Sequence, residues 1–130
     1  MEATAIDYRV TDREIWEQEL ADFVPERMLD AHIHFFWNSN LANIPAGFVH
    51  EDHNLATLND WARVLYPGRQ LQYLILGTPS GHPVVERHVE SVRQEITGIP
   101  GIRHNRLVTP GCQLDDIERD LQNPQFIGLN

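Results

Sequence analysis

Apolar runs short enough for strands alternate along this chain with helix-spaced patterns. After an opening helix the order is β-α-β-α-β-α-β. This alternation constrains the fold more than any single residue does. Parallel strands need a crossover long enough to hold a helix, and such crossovers are right-handed in nearly all sheets. The spacing predicts strands over 28–36, 71–76 and 106–109, and a fourth beginning at Phe126. Between them, Leu55, Leu58, Ala62 and Leu65 mark a helix that Pro67-Gly68 stops. Val85, Val89, Val92 and Ile96 form the apolar stripe of the next, with Glu86, Arg87, Glu90 and Arg93 on its outer face. Leu114, Ile117 and Leu121 mark the last, with Asp115 and Arg119 spaced to pair on its exposed side. At the amino end, Thr11 to Glu14 fits a capping box with Thr11 as N-cap. Ile15, Trp16, Leu20 and Phe23 then share a face until Pro25. Four parallel strands with three crossover helices are what the first half of a (β/α)8 barrel contains. A whole barrel takes about 250 residues; this chain has 130. The expectation is an α/β protein, a partial (β/α)8 TIM barrel over 1–130 with a helical extension over 1–24.

Charge narrows the partners. The 10 basic residues are all arginines, the acidic ones number 19, and the formal charge is −9. That balance argues against nucleic acid, which calls for a basic footprint, and against anionic lipid. No stretch approaches the length of a membrane span, and residues 1–7 lack the pattern of a secretory signal. Cys112 is the only cysteine, which excludes an internal disulfide and suits a reducing compartment. The expectation is a cytoplasmic protein acting on a small molecule. A strand at the open sheet edge calls for cover from a second copy or from a missing carboxyl-terminal half.

The chemistry concentrates in Asp30-Ala31-His32-Ile33-His34 on the first strand. Side chains alternate along a strand, so period two places Asp30, His32 and His34 on one face. Two imidazoles at i, i+2 aim at one point, and imidazole nitrogen is a good zinc ligand. At the carboxyl end of a barrel strand that point lies in the catalytic mouth. Asp30, one layer deeper, is placed to orient a ligand or join the coordination. The plain alternative is a solvated pair that only forms hydrogen bonds.

The stretch from Phe23 to His34, FVPERMLDAHIH, resembles the opening of the amidohydrolase-related metal-dependent hydrolases. Leu107-Val108-Thr109-Pro110 and Phe126-Ile127-Gly128-Leu129 are similar to the third and fourth strands of that family. The resemblance covers the amino-terminal half of the family's domain and implies a (β/α)8 barrel. It also implies that His32 and His34 hold a divalent metal, usually zinc, with Asp30 in support. Members hydrolyse amide, ester or lactone bonds, and some relatives decarboxylate aromatic acids. The family's further histidine and its acid lie on later strands. By this reading the fragment alone is inactive, since a catalytic zinc normally has three protein ligands.

His82, in the loop after the second strand, and Trp37, directly after the metal motif, are the candidates for substrate contact. His50 and His53 fall in a long loop fit for a lid, whereas His88 and His104 read as structural or solvent-facing, and Trp16 and Trp61 as core. Cys112 has no neighbour in sequence that would activate its thiol. Two other classes of function compete with the enzyme. One is a non-catalytic half-barrel that associates with another chain. The other is a small flavodoxin-like module, for which no phosphate-binding loop is present.

Overall fold

The structure is a computed structural model and describes residues 9–40, 52–78 and 85–130. The elements run α1 (Val10–Ile15), which continues into a π-helical turn at Trp16–Leu20, β1 (Arg27–His34), α2 (Leu55–Leu65), β2 (Gln70–Leu76), α3 (Val85–Ile96), β3 (Ile102–Arg106), α4 (Leu114–Leu121) and β4 (Phe126–Leu129). The sheet has four strands in the order β1-β2-β3-β4, and every neighbouring pair is parallel. The expected α/β architecture with helices between strands is therefore present.

The ends of the helices follow from local chemistry. The Asn54 side chain caps α2 by accepting the Thr57 N–H at 3.1 Å, and the Leu55 N–H goes to Glu95 on α3 at 3.0 Å. Gly68, after α2, and Gly98, after α3, have φ of 74° and 76°, a region that L side chains rarely adopt. At the amino end the helix begins earlier than the capping box predicts. Arg9, not Thr11, is the N-cap, and it is Asp12 that reaches back to the Arg9 N–H at 2.7 Å. The π-helical turn then breaks the 3.6-residue period. Of the predicted face, Trp16 alone is buried, and Phe23 is 82% exposed. Arg69 ties this segment down. Its guanidinium lies 5.1 Å from the Trp16 ring and donates to the Val24 and Ala21 carbonyls.

One face of the sheet carries the core. Tyr73 and Ile75 of β2, Ile102 of β3 and Phe126 of β4 pack against Val89, Val92 and Ile96 of α3, with Leu55 and Leu58 of α2 and Phe35 beyond β1. The opposite face carries Arg27, Leu29, Gln70, Gln72 and Arg103, all of them exposed. A sheet wound in simple sequential order places its helices on one side only, so among the described residues no helix between strands covers the other.

Two elements depart from the expected pattern for one reason. β3 lies at Ile102–Arg106 instead of 106–109, and its core-facing residues are Ile102, His104 and Arg106. An alternation of apolar, histidine and arginine side chains carries no hydrophobic signature. The guanidinium of Arg106 is fully buried and reaches Asp120 at 2.6 Å and both carboxylate oxygens of Glu86 at 2.7 and 2.8 Å. α4 consequently turns Asp120 inward, keeps Ile117 half-buried and leaves Leu114 66% exposed, so its buried side is rotated from the one its leucines predict. Arg119 pairs with Asp116 at 2.7 Å, not with Asp115.

Candidate metal centre

The site lies at the carboxyl end of β1. The β1–β2 register pairs Asp30 with Tyr73 and Ile33 with Ile75, so three steps on β1 match two on β2. This bulge inserts an extra residue, and an extra residue breaks the period of two. Asp30, before the bulge, lies on the helix-covered face in register with Tyr73, and beyond the bulge His34, paired with Leu76, points to the other side. The expectation that Asp30 shares a face with both histidines is corrected by this register. Asp30 instead accepts the backbone N–H of His32 at 3.1 Å, bracing the bulge that presents the ring. Its charge is also felt by Tyr73, whose phenol is raised above its ordinary range by burial first and by Asp30 second.

His32 and His34 do share a face. Their ring centroids are 5.0 Å apart at 68°, and their Nε2 atoms face each other at 3.1 Å. Two nitrogens on one tetrahedral zinc, each about 2.0–2.1 Å from the ion, stand about 3.3–3.4 Å apart. The observed pair is within a few tenths of an ångström of that spacing, so the distance alone is compatible with a shared ion. Without an ion the same spacing is a hydrogen bond, one ring donating Nε2–H and the other accepting. The second nitrogen of His34, Nδ1, is buried and has no hydrogen-bond partner among the described residues. Metal-bound histidines usually donate that nitrogen to a carbonyl or a carboxylate. Among the described residues no group of three or more His, Cys, Asp or Glu side chains could hold a metal ion. The described part of the site therefore offers two ligands and no third.

The rim is held by hydrogen bonds between strand ends. The buried Thr78 hydroxyl donates to the Phe35 carbonyl at 3.0 Å, locking the end of β2 to that of β1. Asn130, just past β4, reaches over β3. Its side-chain oxygen accepts the Gly77 N–H at 3.0 Å, and its amide donates to the Gly77 carbonyl at 3.2 Å. Gly77 must stay small, since a Cβ there would lie 2.3 Å from the Cβ of Leu107.

The remaining candidates divide. Trp37 is half-buried and packs beside the core, its ring 5.8 Å from Phe35 and 6.0 Å from His88. His53 joins Phe36 in a short antiparallel bridge and lies between the Phe36 and Trp61 rings, which fastens the end of the long loop to the strand. His50 and His82 lie outside the described residues. His88 and His104 are buried, not solvent-facing, and each is lowered to about 4. Burial is the main cause, with the charge of His34 second for His88. His104 Nδ1–H donates to the Ile75 carbonyl at 2.9 Å, which fixes its tautomer. Cys112 Sγ receives the Thr109 N–H at 3.4 Å and Arg106 Nη1 at 3.6 Å, a cationic neighbour that the local sequence does not reveal.

No helix among the described residues is long and apolar enough to cross a membrane. Comparison with known protein families, with curated proteins and with solved structures finds no match to this chain.

Proposed function

We propose that this chain is the amino-terminal half of a metal-dependent hydrolase of the amidohydrolase-related type, built as the first four strands of a (β/α)8 barrel. The observation that carries the reading is the 3.1 Å approach of His32 Nε2 to His34 Nε2 at the carboxyl end of the first strand. His32 and His34 hold a divalent ion, with zinc the best match to paired imidazoles. When bound, such an ion lowers the pKa of its water and polarises the bond under attack. The chain's own residues supply placement. Asp30 braces the backbone of His32, and Thr78 and Asn130 fix the ends of the neighbouring strands. Two imidazoles fall one short of a catalytic ligand set. Amide, ester or lactone hydrolysis, or decarboxylation of an aromatic acid, thus needs a third ligand and a proton carrier from outside the described residues.

Zinc titration by calorimetry tests the proposal. One ion per chain is expected, and changing His32 and His34 together to alanine abolishes its binding. Unchanged zinc binding in the double variant refutes it. A second reading, a half-barrel that associates with another chain and catalyses nothing, is favoured by the bare sheet face. It predicts no zinc binding by the wild-type chain.

A further inference from the structure

The uncovered sheet face has a charge pattern that selects its occupant. Arg27 pairs in register with Gln70, and Arg103 with Leu74. Both arginines therefore lie on the face opposite the α2–α3 core, and both are exposed. Leu29, on the same face, is 60% exposed, and Gln72 stands beside it on β2. No Asp or Glu of β1–β4 lies on this face. Asp30, the one acid in the four strands, lies on the core side in register with Tyr73. In a chain of net charge −9, the described strand residues of this face thus carry no carboxylate, and Arg27 and Arg103 are cationic.

We infer that the occupant of this face is a second parallel β/α sheet that presents carboxylates toward Arg27 and Arg103, and not another copy of this chain. The inference rests on the half-barrel reading above. In that reading β1 and β4 are the edges at which a further sheet continues the ladder. A second copy would enclose four guanidiniums in one lumen without a carboxylate from either sheet, and unpaired buried charge is strongly unfavourable. An acid-bearing sheet buries the same leucine and glutamine surface and pairs both cations. Like-charge exclusion of this kind is a common means by which interfaces reject the wrong partner.

The test supplies the missing carboxylates on the chain itself. Wild type and the Arg27→Glu/Arg103→Glu variant are run by sedimentation velocity, alone and in equimolar mixture, at about physiological salt, where exposed charges are screened beyond about 8 Å. Both substitutions are at exposed positions, and circular dichroism checks that the variant keeps the wild-type spectrum. The expected result is a 1:1 complex in the mixture at least tenfold tighter than self-association of either chain. Hydrogen exchange should then show new protection at the β1 and β4 edges. Three results overturn the inference. They are wild type pairing with itself as tightly as with the variant, a mixture that stays monomeric, and a complex with no added protection at those edges. Zinc titration of the wild-type chain reports on the metal reading separately, because neither substitution touches His32 or His34.

Discussion

Changing Asp120 to alanine should remove a substantial part of the margin by which this chain stays folded. The Arg106 side chain is 0% exposed and that of Asp120 1%. Asp120 also accepts from Arg93 and lies 3.7 Å from the Arg119 guanidinium, so it faces three cations. Truncating it leaves Arg106 with one carboxylate, Glu86, which is 50% exposed and therefore well screened. Breaking a buried ion pair costs about 3–5 kcal/mol. Because Glu86 persists, the lower end applies, about 3 kcal/mol against a typical total of about 5–15 kcal/mol. With a urea slope of about 2 kcal/mol per molar, the unfolding midpoint falls by about 1.5 M. Glu86→Gln should cost no more than about 1 kcal/mol, as expected of a half-solvated partner. The paired replacement Arg106→Met/Asp120→Leu removes both buried charges together and should recover most of the loss. Equilibrium urea unfolding followed by tryptophan fluorescence measures all three. If Asp120→Ala costs under about 1 kcal/mol, or if the paired replacement is as damaging as the single one, the charge balance of the α3–β3–α4 layer is misread.

Two other outcomes follow from the same packing. His88 and His104 are lowered to about 4 from an ordinary value of 6.5. Between those values the unfolded chain binds more protons, so their contribution is complete above about pH 6.5, is lost as pH falls toward 4, and is flat below. At about 1.4 kcal/mol per pH unit each imidazole contributes on the order of 3 kcal/mol. His88→Phe should flatten this part of the urea-midpoint profile, and an unchanged profile would count against a neutral buried imidazole. At the bulge, Asp30→Ala should weaken zinc binding about 10- to 100-fold, the usual effect of removing a group that orients a ligand. Asp30→Asn keeps the acceptor for the His32 N–H and should restore most of the affinity by calorimetry, unless Asp30 acts through its charge.

Much of the frame was legible in the sequence because it rests on periodicity. The stripe Val85, Val89, Val92, Ile96 fixes α3 and its buried side, and all but the half-buried Val85 are fully buried. Alternation of strands with helices fixes a parallel sheet. The pairing of His32 with His34 is equally local, since two residues at i, i+2 on an extended backbone meet on one side. Tertiary structure decided what periodicity does not encode. Whether Asp30 joins the histidines depends on one extra residue in the β1–β2 register, and that slip is set by pairing with another strand. Arg106 and Asp120 each look like surface residues, and only their meeting between β3 and α4 allows both to be buried. Their burial in turn rotates α4 away from the orientation its leucines predict. A sequence displays the spacing of its apolar groups, but the partner that neutralises a buried charge is known only when distant segments have come together.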